Sequence, residues 1–279
     1  MTQPADLAPL PFELVYDDGM PLESSWHSDQ LPLLRELINQ DMLEQGRTDF
    51  FCSTNIFVYY SKEQAREVFE EETKRRRYRA YRGPDVFWVG GVPRRKRQAW
   101  VSWEEGGRLP DVIFEMLSPS TASKDRGEKR ELYEKVFRTG EYFMYEPETG
   151  KLEGLRLIDR AYRTIPLDDK GRLWSSQLGV FVGLWHGIVD REEDDWVRLF
   201  RPDGTLVPTH EERAEAERLR ADEERLRAEA ERLRANEERQ RAGEERLRAE
   251  AERQRAEAAE AELARLRALL EERSEGSRT

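Results

Sequence analysis

The chain is poor in the residues that build the commoner structural and catalytic sites. It has one cysteine, Cys52, in 279 residues, which excludes a disulfide framework or a cysteine-built zinc cage within one chain and fits a reducing compartment. Only three histidines occur, His27, His186 and His210. None lies near the Ser118-Pro119-Ser120-Thr121 stretch, so that segment reads as a turn and helix cap, not a serine nucleophile. His27, next to Trp26, reads as a packing or first-turn residue. No apolar run approaches the roughly 18 residues of a membrane span. The start, Met1-Thr2-Gln3-Pro4, has no basic segment followed by an apolar stretch. The expectation is a soluble, cytoplasmic protein with no membrane partner.

Charge is abundant. Charged residues make up 38% of the chain, and 58 acids against 47 bases give a net charge of -11. Such a balance opposes indiscriminate binding to a nucleic-acid polyanion, so any such contact must be local. Two basic patches qualify: Lys74, Arg75, Arg76, Arg77, Arg79 and Arg82, then Arg94, Arg95, Lys96 and Arg97. They flank Gly83-Pro84-Asp85.

Most of the surplus charge sits in a tail over 209–273 built on a seven-residue repeat. Leu219, Leu226, Leu233 and Leu247 recur at this interval, Gln240 and Gln254 take the same position, and Leu263, Leu266, Leu269 and Leu270 follow. The stripe four residues on holds Glu223, Ala230, Glu237, Glu244 and Ala251, a poor seam for a stable dimer. Pairs such as Glu223 with Arg227 have the favourable i,i+4 order. The expectation is a weak coiled coil, anchored near 263–270, that assists homodimerisation through the C-terminal helix; a free extended helix is the alternative. Residues 274–279 are expected to be disordered, and residues 1–208 to form one folded domain.

Within that domain, Leu31, Leu34, Leu37 and Ile38 predict an amphipathic helix over 26–40. Strands are predicted over 55–60, 85–89, 111–117 and 141–145, with helices over 61–77 and 123–138. From 152 to 208, short strands with turns at 168–171 and 202–204 predict an added antiparallel layer. Asp85 opens one strand of GPDVFWV. Asp111 and Glu115 lie four apart in PDVIFEMLS, hence on one face of a strand. Val112, Ile113 and Phe114 mark this strand as buried on both sides, where a glutamate needs a partner or a metal. Carboxylate oxygens suit Mg²⁺ or Mn²⁺. An ion held by two acids, with one lysine, suffices for phosphodiester hydrolysis. Lys129 is best placed to reach Glu115, ahead of Lys124 and Lys135. The bland readings are a turn-capping or arginine-paired acid at Asp85 and Glu115, a strand-edge acid at Asp111, and a solvated helix lysine at Lys129.

These segments carry a resemblance. ESSWH, GPDVFWV, PDVIFEMLSPST, the Asp125-x-x-x-Lys129 segment, LYEKVFRTGEYFMYEP and the charged tail are similar to the Uma2 (DUF820) family, over about residues 12–213. The resemblance implies an α/β restriction-endonuclease-like fold of the PD-(D/E)XK kind, a mixed sheet flanked by helices. It implies metal-binding roles for Asp85 and Glu115, an accessory role for Asp111 and a helix acid at Glu23. In the parent nuclease motif a lysine stands two residues after the strand acid; Leu117 stands here, and the resemblance implies that the lysine has moved to the helix as Lys129. The function implied is a metal-dependent endonuclease acting on nucleic acid, DNA before RNA. The alternatives are a non-catalytic nuclease-fold adaptor and a hydrolase of a small phosphorylated substrate.

Overall fold

The computed structural model describes residues 10–16, 24–74, 81, 83–119 and 122–275, with side chains through 267. Glu23, Arg75–Arg77, Tyr78, Arg79, Arg82 and the segment 276–279 lie outside the described residues. The chain divides into two units, Met1–His210 and Glu211–Thr279.

The first helix is written by its ends. Ser24 accepts the His27 N–H and opens α1 (Ser25–Glu44). Gly46 takes a left-handed φ of 74 just past the C-cap, where the missing Cβ removes the steric cost, and Arg47 N–H returns to Met42 C=O. The apolar face of α1, including Leu31, Leu34, Leu37 and Ile38, is fully buried.

Strand β1 (Phe50–Thr54) follows, then β2 (Val58–Tyr59), α2 (Lys62–Thr73), β3 (Val86–Gly90), β4 (Trp100–Val101) and β5 (Val112–Met116). The single strand expected over 55–60 is thus corrected. Asn55 adopts φ 50, a conformation Asn tolerates better than most side chains, and this ends β1 and leaves only two residues of β2. A helical run over 122–137 leads into β6 (Glu141–Glu146), β7 (Lys151–Ile158) and β8 (Ala161–Thr164). The main sheet has the order β1-β3-β5-β6-β7-β8. Only β5 and β6 pair in parallel there; the other neighbours are antiparallel, so the sheet is mixed. Strands β9 (Leu173–Ser175), β10 (Val180–Val189) and β11 (Glu192–Phe200) form the extra antiparallel sheet.

Side-chain alternation sorts the two faces of the main sheet. Val86, Trp88, Val112, Phe114 and Met116 pack with α1 and with Val180, Val182, Val197 and Leu199 of the second sheet, so α1 lies between the sheets. Phe87, Val89 and Ile113 point the other way, against Tyr133 and Phe137 of the 122–137 run.

Glu141 fastens β6 to the turn after β9. Its buried carboxylate accepts from Arg156 Nε at 3.0 Å, from Ser176 N–H and Oγ at 2.8 Å, and from Ser175 Oγ. Truncating it strands these donors, so Glu141→Ala is expected to reduce unfolding free energy by about 3 kcal/mol in denaturant titrations. A change below 1 kcal/mol would show that water replaces the carboxylate.

The second unit is the body of a C-terminal helix, His210–Glu275. Its leucines at 219, 226, 233, 247, 263 and 266 are each about half exposed or more. No helix is long and apolar enough to cross a membrane among the described residues.

Candidate active site

Two acids meet at matched strand ends. The antiparallel register pairs Val86 with Phe114, Phe87 with Ile113 and Trp88 with Val112, and one further step sets Asp85 across from Glu115. Alternation gives Glu115 the same side as Ile113, toward the 122–137 run. Asp85 is partly buried and fixed at both ends: its carbonyl accepts the Asn55 N–H at 3.0 Å, and its Oδ2 accepts the Met116 N–H at 2.7 Å. Gly83 lets the chain approach β2 here, since a Cβ at that position would sit 2.3 Å from the Ile56 carbonyl oxygen. Gly83→Ala must therefore move backbone two residues before Asp85, and a loss of about 1–3 kcal/mol in thermal unfolding is expected. Unchanged stability would mean that the 81–85 segment is free to shift.

The helix supplies the cation. Lys129 Nζ lies 3.0 Å from Glu115 Oε2 and 2.6 Å from Asp125 Oδ1, and both carboxylates are almost fully buried. Tyr133 donates to the other Glu115 oxygen, Oε1, at 2.6 Å. Asp125, Lys129 and Tyr133 are spaced by four, which in a regular helix drifts by about 40° per step. The run holds wide, i→i+5 bonded turns at Asp125–Lys129 and Tyr133–Phe137. An extra residue per turn offsets the drift and keeps the three on one line.

A ring of tyrosines closes the floor. Tyr133 has one hydroxyl hydrogen, which the Glu115 carboxylate takes, so the 3.3 Å contact with Tyr81 runs from the Tyr81 hydroxyl to the Tyr133 oxygen. The Tyr142 hydroxyl donates to the Asp125 carbonyl at 3.2 Å. On the far side of the Met116 peptide, His27 Nε2 lies 3.1 Å from the Met116 carbonyl and Nδ1 lies 2.9 Å from Ser24 Oγ. A carbonyl only accepts, so Nε2 carries the hydrogen that it donates to Met116. His27 and Asp85 thus hold the two polar ends of one residue, Met116.

Burial dominates the electrostatics. It pushes the Glu115 carboxyl up to about 8; Lys129 opposes this, while Asp85 and Asp125 add to it. Asp85 is raised for the same first reason, with Lys129 and the Met116 N–H pulling the other way. Burial disfavours the Lys129 ammonium, but Glu115, Asp125 and Asp85 outweigh it and hold the lysine above its ordinary range. Burial and the nearby Glu115 charge keep Tyr133 and Tyr81 protonated, as donors.

Other expected residues fall elsewhere. Asp111 does not join the cluster: it precedes β5, about 13 Å along the strand from Glu115. Its Oδ2 accepts the Gly90 N–H at 2.9 Å and pairs with Arg108 at 3.3 Å. The strand-edge reading describes that geometry. Lys124 and Lys135 are exposed, and Lys135 pairs with Glu131. Arg97 stacks over Phe51 and Trp100 and, with Arg95, binds Glu105. Asp125, Tyr133, Tyr81 and His27 were not marked as site residues from sequence; only the four-residue step from Asp125 to Lys129 carried a signal.

The chemistry of the donor set fits a hard divalent cation. Three carboxylates face one ammonium, so full ionisation leaves an excess of two negative charges in a buried space. Among the described residues no three acid, histidine or cysteine groups converge on one point. Two strand-end carboxylates are nonetheless what Mg²⁺ takes when water and substrate phosphate complete its shell.

A crystal structure described as a "putative nuclease belonging to DUF820" from Anabaena variabilis ATCC 29413 is similar at 13% identity, over 58% of this chain and 81% of that one, with a TM-score of 0.39. No curated protein matches. The Uma2 family model, described as "Putative restriction endonuclease", matches residues 18–191, more than half of the 279. The chain therefore belongs to the Uma2 family of restriction-endonuclease-type proteins.

Proposed function

We propose that the protein is a metal-dependent endonuclease that hydrolyses phosphodiester bonds of nucleic acid, DNA before RNA. The observation that carries the reading is the pairing of Asp85 and Glu115 at adjacent strand ends, with the Lys129 ammonium 3.0 Å from Glu115. Asp85 and Glu115 are the residues that would hold Mg²⁺ or Mn²⁺. Bound there, the ion would supply positive charge to the scissile phosphate and make a water more acidic.

The chain's own groups have separable roles. The Met116 N–H orients Asp85, and Tyr133 orients Glu115. Asp125 aims the Lys129 side chain, whose ammonium stabilises negative charge gathering on the phosphate oxygens. In the sequence, Arg75–Arg77 stand eight to ten residues before Asp85, and this basic run supports a polyanionic substrate over a small one.

The test is cleavage of supercoiled plasmid and of single-stranded DNA by purified protein with Mg²⁺ or Mn²⁺, beside Asp85→Ala and Glu115→Ala. Metal-dependent nicking that both substitutions abolish is the expected result. No cleavage, or equal cleavage by the variants, would leave a non-catalytic binding module as the better reading.

A further inference from the structure

We propose that the C-terminal helix pairs with a second copy of this chain, in parallel and in register, and that its charges select this orientation. The leucine stripe at 219, 226, 233 and 247 is exposed along the helix. A strict seven-residue repeat drifts by about 20° per heptad on a straight helix and stays on one seam only when the helix supercoils around a partner.

The flanks of the stripe say which partner. With the leucines at position d, the residue after each stripe position, position e, is Arg220, Arg227, Arg234, Arg241, Arg248 and Arg255 in turn. Three residues after the stripe, position g, stand Asp222, Glu229, Asn236, Gly243, Glu250 and Glu257. In a parallel pair, each g residue meets the e residue five positions further along the partner. Asp222 then meets Arg227, Glu229 meets Arg234 and Glu250 meets Arg255, in both directions across the seam. An antiparallel pair matches e with e and g with g, setting arginine against arginine and acid against acid. A second copy in parallel is thus the complementary occupant.

The seam between these flanks is weak. Its a positions hold Glu223, Glu237 and Glu244 beside Ala230 and Ala251, and Gln240 and Gln254 interrupt the leucines. Charge at the flanks therefore carries much of the pairing, and association is expected to weaken as salt rises. Parallel pairing also brings the two chains' 210–211 junctions to one end. The antiparallel arrangement would separate them by about 100 Å, the length of a 66-residue helix.

Sedimentation equilibrium of the full chain at low and high salt tests this. The expected result is a reversible dimer that weakens at least tenfold at high salt. A chain carrying Arg227→Glu, Arg234→Glu and Arg255→Glu should be monomeric alone. It should pair one-to-one with a chain carrying Asp222→Arg, Glu229→Arg and Glu250→Arg, and these exchanges keep helix propensity nearly constant. Leu226→Cys should give a disulfide-linked dimer on mild oxidation, since parallel register sets position 226 against itself. A monomer at every concentration, pairing indifferent to the reversals, or no cross-link at 226 would each overturn the proposal.

Discussion

Glu115→Gln is expected to abolish cleavage while leaving the metal-free protein as stable as the parent, or more so at alkaline pH. Loss of an ion-holding oxygen should cost more than the 10–100-fold typical of outer-shell partners, so a fall of at least about a hundredfold is expected. The stability half follows from linkage. The folded carboxyl is raised from 4.5 to about 8, so between these values the native state holds a proton that the unfolded chain has released. Its contribution is complete below about pH 4.5 and lost as pH rises through 8. Lys129 titrates above that window and does not alter its sign. Thermal unfolding of the parent without metal should therefore fall from pH 5 to 8, and the Glu115→Gln profile should be flatter. Adding Mg²⁺ should stabilise the parent more as pH rises, because the ion competes with the proton. A parent profile that is flat, or that rises through this window, would refute the protonated, buried glutamate.

Much of the architecture was legible because burial leaves a pattern. The α1 leucines repeat at helical spacing, whereas Val112–Phe114 and Tyr142–Tyr145 are short continuous apolar runs, the mark of a strand buried on both faces, and each lies in an element of the structure. Where the reading slipped, a local conformation overrode composition. Ile56 to Tyr60 is β-branched and aromatic, yet Asn55 at positive φ turns the chain, and Phe50–Thr54 takes the place beside β3 instead. The helix expected over 123–138 is present as the 122–137 run, but its wide turns leave no mark in the spacing, since the extra residue per turn depends on packing against the sheet.

The candidate site was legible along strands and obscure between elements. Asp85 and Glu115 can be located by counting, because alternation and strand ends are local. Asp111 has the same parity as Glu115, but parity says nothing of distance along the strand, and four residues carry it to the opposite end of β5. Tyr133 and Tyr81 look like ordinary core aromatics in sequence; their hydroxyls acquire a role only because the fold directs one at Glu115 and the other at its neighbour. His27 lies in sequence 89 residues from the carbonyl it contacts, and no pattern within α1 indicates that contact.

Lys129→Met should have the largest effect on stability of any single change at the site. It removes the cation that pairs with Glu115 and Asp125 and leaves their buried carboxyl groups 3.0 and 2.6 Å from where the ammonium stood. Breaking a buried pair from one side costs about 3–5 kcal/mol, so the variant should unfold at markedly lower temperature near neutral pH. Two further results separate this role from simple packing. Acid should narrow the deficit, because protonated carboxyls no longer repel one another. Mg²⁺ should raise the variant's midpoint more than the parent's, since the ion can occupy the space that the ammonium held. If Lys129→Met proves too unstable to purify, Lys129→Met with Glu115→Gln replaces both members of the 3.0 Å pair by neutral side chains and should recover the fold without recovering cleavage. A single variant as stable as the parent at pH 7, with no response to Mg²⁺, would mean that the three carboxylates do not share the buried space from which the endonuclease reading starts.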